Sequence, residues 1–130
     1  MDRFFRYWFP PLLWMTIIFI LSSRQHVTIS EEKMVDFAIF KSIHIIVYAG
    51  MYFLLFRAFN SIRDKHYTKH DRFVSALLVA LIYAVTDEIH QTFVPTREGT
   101  VRDVIIDGIG IFFMYSYIQN NLAGLKNFLK

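Results

Sequence analysis

The sequence contains no cysteine among its 130 residues. This absence excludes disulfide bonds, thiolate metal sites and a cysteine nucleophile. Charged residues are also scarce, at 19% of the chain, whereas soluble domains carry about 25%. They lie in clusters and leave long uncharged stretches, which is the pattern of membrane-spanning segments. Strand-like alternation, internal repeats and low-complexity segments are absent as well, so an all-α fold is predicted.

Apolar residues, by contrast, are abundant and are gathered into four segments. They make up 55% of the chain, and the mean hydropathy is +0.36. We predict membrane-spanning helices at about 8–22, 35–56, 73–94 and 101–119. A helix of about 20 residues crosses a hydrocarbon core of about 30 Å. The expected fold is therefore an integral membrane bundle of four transmembrane helices, with residues 1–130 forming a single domain.

The distribution of Lys and Arg predicts how these helices are oriented. Nine of these residues lie in the terminal segments and in the loop between the second and third spans, against four in the other two connections. By the positive-inside rule, both termini are cytoplasmic and the chain is a multi-pass protein of the cytoplasmic membrane. The net charge of +3 reflects this asymmetry. No nucleic-acid-binding motif accompanies it, so no nucleic-acid partner is expected.

Ionisable residues occur inside three of the spans, near the ends predicted to face outward. In the second span Lys41, His44 and Tyr48 share one helix face, with the spacing i, i+3, i+7. A rise of about 1.5 Å per residue places the charges of all three spans about 10–12 Å below the outer boundary. Intramembrane charges are costly and mark functional sites. The pattern therefore predicts a polar pocket that opens outward.

The pocket residues fall into two groups by the chemistry of their side chains. The candidate acid–base residues are Asp87, Glu88 and His90. The candidate substrate-binding residues are Lys41, His44, Tyr48, Tyr83, Gln91, Arg97, Asp103 and Asp107. The carboxylates and histidines could also supply ligands to a divalent metal. No His-Glu-x-x-His pattern is present, however, so no metal ligand and no cofactor is assigned.

A purely structural interpretation of the same residues stays open at this point. Lys41 could pair with Asp87 or Asp107 and only hold the bundle together. Asp103 could belong to a capping box that begins with Thr100. Five charged residues on one side of three spans nevertheless favour a functional site.

The motifs in these spans resemble those of the VanZ-like family of small bacterial membrane proteins. The matching residues are Lys41, His44, Tyr48, Tyr83, Asp87, Glu88, His90, Gln91, Phe93, Val94, Pro95, Arg97, Asp103 and Gly110. The resemblance runs from about Phe9 to Gly110, and Asp107 departs from it where many members have Asn. It implies a four-span protein of the bacterial cytoplasmic membrane, and the family's name-giving member is linked to low-level teicoplanin resistance.

Three functional hypotheses follow from the residues together with the resemblance. The site could act on a lipid or cell-wall precursor at the outer leaflet, or it could bind a lipid headgroup or a glycopeptide without catalysis. A transporter or proton relay is the weakest hypothesis, because the inward halves of the spans offer little beyond Tyr48, Tyr52 and Ser116. The expected partners are the lipid bilayer and either a lipid-linked cell-wall precursor or a glycopeptide.

Overall fold

A computed structural model of the chain describes residues 2–25, 31–97 and 99–129. Helices account for 79% of the structure, and the described residues contain no strand. The prediction of an all-α fold is confirmed. The helices are α1 (Asp2–Tyr7), α2 (Phe9–Ser22), α3 (Lys33–Asn60), α4 (Lys69–Gln91) and α5 (Val101–Asn121), followed by a 3-10 turn at Gly124–Asn127.

The N-terminal segment is divided into two helices at Trp8. Helix α2 begins at Phe9 and accommodates Pro10 and Pro11 in its first turn, where a missing N–H group leaves no helical hydrogen bond unmade. With 14 residues it is shorter than the other long helices. Its large apolar side chains are mostly exposed, as those of Leu13 and Ile20 show.

Two helices have the length and composition needed to cross a membrane, namely α3 and α4. Helix α3 has 28 residues, which corresponds to about 42 Å at about 1.5 Å per residue. It extends beyond the predicted 35–56 at both ends. Helix α4 begins four residues earlier than predicted and ends at Gln91, so that residues 92–94 belong to the following turn.

The start of α4 is defined by a capping box. The Thr68 hydroxyl accepts a hydrogen bond from the Asp71 backbone, and the Asp71 carboxylate accepts one from the Thr68 backbone. The hydrogen bonds that the Asp71 carboxylate accepts from the Thr68 backbone and hydroxyl hold the pKa of this carboxyl below its usual value. The ionised Asp71 carboxylate therefore stabilises the fold at pH values above its usual pKa. This stabilisation is lost as the pH falls through the lowered pKa of the folded state.

Helix α3 lies at the centre of the molecule and packs against α2, α4 and α5. Three fully buried alanines, Ala76, Ala80 and Ala84, form one face of α4. Their small side chains allow neighbouring helices to approach closely, as in membrane helix bundles. The largest fully buried core side chains are Tyr48, Met51, Tyr52, Phe56, Ile111 and Ile118.

The outside of the bundle is rich in exposed apolar side chains. Ile46 of α3, Ile82 of α4 and Phe113 of α5 each expose more than 60% of their surface. A soluble domain rarely leaves so many large apolar side chains in water, whereas lipid chains would cover them. This surface and the two long apolar helices are those of a membrane protein.

Candidate functional site

Two contacts join the N-terminal halves of α3 and α5. The Lys41 Nζ atom lies 2.8 Å from Asp103 Oδ1, and His44 Nδ1 lies 2.9 Å from Asp107 Oδ1. Lys41 therefore pairs with Asp103, and not with Asp87 or Asp107, which were its expected partners in a structural role. Thr100 occupies the N-cap of α5 as predicted, but its side chain makes no capping hydrogen bond.

Asp87 is the point at which three helices meet. Its Oδ2 atom accepts hydrogen bonds from Ser22 of α2 at 2.9 Å, from Tyr48 of α3 at 3.0 Å and from Gln91 of its own helix at 3.1 Å. The carboxylate is buried, with 3% exposure. Hydrogen bonds to a charged acceptor are stronger than those between neutral groups, so this hub links α2 to the bundle.

Gln91 connects the hub to the second carboxylate of α4. Its Nε2 atom also donates to Glu88 Oε1 at 3.1 Å, and its Oε1 atom accepts from Arg97 Nη1 at 3.2 Å. The other Glu88 oxygen accepts from the Thr100 backbone N–H at 3.2 Å. The turn after α4 therefore covers Glu88. Residue 99 of this turn has to be glycine, because a Cβ atom there would overlap the Glu88 carbonyl oxygen.

Arg97 spans from this turn to the C-terminal end of α2. Its Nε atom donates to the Arg24 carbonyl at 2.7 Å, and its Nη2 atom donates to the Leu21 carbonyl at 3.3 Å. A cation is favoured at the carbonyl end of a helix. All three of its hydrogen bonds within the described chain go to neutral oxygens, so no described carboxylate neutralises its charge directly.

A cavity of about 220 Å³ lies between α2 and α3 beside these groups. One part of its wall is apolar, with Ile18, Phe40 and Ile43 among the lining residues. The polar lining residues are Ser22, Arg24, Gln25, His44, Tyr48 and Arg97. The cavity therefore combines a surface suited to hydrocarbon with a surface suited to a polar headgroup.

His90 and Tyr83 lie apart from the carboxylates, at the contact between α2 and α4. The His90 ring packs on Phe19 with centroids 4.5 Å apart, and its Nε2 atom is 3.0 Å from Ser23 Oγ. The Tyr83 hydroxyl donates to the Met15 carbonyl at 2.6 Å. In this arrangement neither side chain is hydrogen-bonded to Asp87 or Glu88.

These groups form one polar cluster at the end of the bundle where α2 and α4 end and α3 and α5 begin. Its members are Ser22, Lys41, His44, Tyr48, Asp87, Glu88, Gln91, Arg97, Asp103 and Asp107. Its four carboxylates are each at most 6% exposed. Lys41 is the single lysine of the cluster and is engaged by Asp103. The interior of the cluster therefore has an excess of negative charge whenever all four carboxylates are ionised.

Ser22 is the cluster member that the sequence did not indicate, since one serine near the end of an apolar segment carries no periodic signal. We expect Ser22→Ala to lower the free energy of unfolding by about 1.5 kcal/mol, because Asp87 loses a hydrogen bond to a charged acceptor. Thr16→Ala is the matched control. Thr16 is exposed and its hydroxyl donates within α2 to the Leu12 carbonyl, so this change should alter stability by no more than about 0.5 kcal/mol.

Reversible unfolding of the purified variants in mixed detergent micelles measures this difference. Equal stability of the two variants would show that the Ser22 hydroxyl contributes nothing to holding α2 on the bundle.

Residues 7–120 of this chain match the family model described as VanZ/LLP1. The matched range contains every member of the polar cluster and all of α2 to α4. Comparisons with curated proteins and with solved structures gave no match.

Proposed function

This chain belongs to the VanZ-like family, and we propose that Arg97, the member of the polar cluster that carries a positive charge on the cavity wall unpaired by any described carboxylate, binds the anionic headgroup of a lipid-linked cell-envelope precursor. Membership associates the chain with glycopeptide resistance. In this proposal, binding takes place at the outer face of the bacterial cytoplasmic membrane and contributes to protection against teicoplanin-type antibiotics.

The topology that accompanies this proposal has four crossings, made by α2, α3, α4 and α5, with both termini cytoplasmic. Residues 1–130 would then form one membrane domain. The asymmetry of Lys and Arg supports it, as does the clustering of the intramembrane charges at one end of the helices. Helix α2 has only 14 residues, so a local thinning of the bilayer or the added length of α1 would complete its crossing.

The observation that carries the proposal is the position of Arg97 on the wall of the cavity between α2 and α3. Its guanidinium is held by carbonyl and amide oxygens, which orient it without cancelling its charge. Arginine is well suited to carboxylate and phosphate groups because it presents several donors in one plane. The apolar wall below it, which includes Ile18 and Ile43, suits the hydrocarbon part of the same ligand.

Binding fits this arrangement better than acid–base catalysis does. Neither Asp87 nor Glu88 is among the residues that line the cavity between α2 and α3. Three donors bind Asp87 Oδ2 and its Oδ1 atom is buried, while Glu88 is bound by Gln91 and the Thr100 backbone. His90, the third candidate of the acid–base group, packs against α2 instead. A general base has to be within hydrogen-bond reach of the proton that it removes.

Replacing Arg97 with glutamine tests the proposed function. We expect affinity for the precursor to fall by about tenfold or more, because hydrogen bonds to charged groups contribute about 1.5–3 kcal/mol. Teicoplanin protection of cells that express the chain should fall with it. The matched control is Arg63→Gln, which removes a charge from the exposed loop between α3 and α4.

Two measurements are needed on variants of equal membrane abundance: the inhibitory concentration of teicoplanin, and the precursor retained by the purified chain, detected by native mass spectrometry. Full protection and full retention in Arg97→Gln would refute the proposal. Direct binding of teicoplanin without retention of the precursor would also refute it, in favour of the glycopeptide as the ligand.

A further inference from the structure

We propose that His44, Glu88 and Asp107 form a binding site for a divalent transition-metal cation. Each of these side chains comes from a different helix, α3, α4 and α5 respectively. Each can present one ligand atom such that all three atoms lie within 4.8 Å of one another. One imidazole and two carboxylates are common ligands of divalent metals in proteins.

An unpartnered buried oxygen is the second observation that points to a cation. Asp107 has no exposed surface, and its Oδ2 atom has no hydrogen-bond partner in the described part of the chain. Its other oxygen, Oδ1, is engaged by His44. Buried carboxylate oxygens are nearly always hydrogen-bonded or bound to a metal, because an unsatisfied one is costly. A cation at this position would satisfy Oδ2.

The charges around the three side chains support the same conclusion. Glu88 receives hydrogen bonds only from neutral donors among the described residues, namely the Gln91 amide and the Thr100 backbone. Lys41, the nearby lysine, is 2.8 Å from Asp103. Glu88 and Asp107 therefore have no lysine or arginine of their own within the described structure, and a divalent cation supplies the two missing positive charges.

The ligand set also indicates which class of cation would bind. An imidazole nitrogen favours transition metals such as Mn²⁺ and Zn²⁺ over Mg²⁺ and Ca²⁺, which prefer oxygen. Two ligands at about 2.1 Å from one tetrahedral cation lie about 3.4 Å apart. Since the three atoms lie within 4.8 Å of one another, binding would draw the widest pair together by at most about 1.4 Å.

Three protein ligands leave open coordination positions on the cation, which water or a phosphate oxygen can occupy. If the ligand of the cluster is the anionic headgroup proposed above, the cation would offset the negative charge of the cluster and receive the headgroup. This last step rests on the proposed function. Cation binding itself does not, so it can be tested without lipid or antibiotic.

The test is a titration of the full chain, purified in detergent and stripped with a chelator, with Mn²⁺ followed by electron paramagnetic resonance. We expect saturable binding of one equivalent. His44→Gln and Asp107→Asn should each weaken binding by about tenfold or more, the usual effect of disturbing a metal site. The matched controls are Asp64→Asn, in the loop before α4, and His70→Gln, at the start of α4. Both residues are exposed.

Absence of saturable binding in the wild-type chain would overturn the inference, whatever the variants do. Wild-type affinity in folded His44→Gln and Asp107→Asn would overturn it as well. Glu88→Gln keeps the shape of the side chain and provides a third variant if Asp107→Asn does not fold. Because Arg97 lies outside the three ligands, loss of protection in Arg97→Gln and loss of Mn²⁺ in His44→Gln report on the two proposals separately.

Discussion

Gly110→Ala is expected to prevent the bundle from closing, whereas Gly108→Ala, two residues away on the same helix, is expected to fold normally. A Cβ atom on Gly110 would overlap the Ile45 carbonyl oxygen and lie 3.0 Å from the Ile45 Cα atom. These are backbone atoms of α3, so no rotamer change can relieve the contact. Either α3 and α5 separate, or the variant remains unfolded.

The expected cost of Gly110→Ala is about 3 kcal/mol or more, at or above the upper end of the range for overpacked cores. Gly108 is a matched control because a Cβ atom there meets nothing within 4 Å. Alanine favours the helical backbone over glycine by about 1 kcal/mol, so Gly108→Ala should be neutral or slightly stabilising. Each of the two substitutions adds one methyl group to α5.

Unfolding in mixed detergent micelles and the yield of membrane-inserted protein measure the contrast between these variants. A Gly110→Ala variant as stable as Gly108→Ala would mean that α3 and α5 do not approach each other closely at this residue. The contacts from Lys41 to Asp103 and from His44 to Asp107 would then lose their structural basis, since they lie on the same two helices.

Lys41→Met is expected to lower the free energy of unfolding by about 3 kcal/mol, because it leaves Asp103 buried without its cation. The value lies at the lower end of the range for buried pairs, since the Lys41 side chain keeps 20% exposure and Asp103 keeps 8%. Arg102 compensates little, because it is 66% exposed and its Nε atom is 3.8 Å from Asp103.

The double variant Lys41→Met with Asp103→Asn should recover much of this loss, because it removes both charges. Lys33→Met is the control, as it removes an exposed lysine from the first residue of α3. Unfolding free energies of the four proteins, including the wild type, form the comparison. No recovery in the double variant would show that Lys41 stabilises the fold through packing and not through its charge on Asp103.

Local patterns were sufficient to predict the helices and the helical face shared by the polar residues of α3. The apolar segments placed α3, α4 and α5 to within a few residues, because helix formation in this chain follows runs of apolar residues. The spacing of Lys41, His44 and Tyr48 placed them on one face, and all three belong to the polar cluster. The third predicted span ended at residue 94, whereas α4 ends three residues earlier, at Gln91. The difference arises because the turn that follows is shaped by Glu88 and Gly99.

Partners between helices could not be predicted in the same way. The sequence left open a pairing of Lys41 with Asp87 or Asp107, whereas the structure pairs it with Asp103, which the helix contact at Gly110 places beside it. His90 shares a helical face with Asp87, yet its ring packs against Phe19 of α2. Which of two side chains on one face meets a given neighbour depends on where the other helices lie.

The sequence by itself determined that this chain is helical, rich in apolar surface and marked by ionisable groups at one level, because these properties depend on composition and on a periodicity of 3.6 residues. It also carried the residues that identify the family. Only the tertiary structure decided that Asp87 joins three helices, that Arg97 lines a cavity between α2 and α3, and that His44, Glu88 and Asp107 converge. These are distances between segments far apart in the chain, and close packing of the helices sets them.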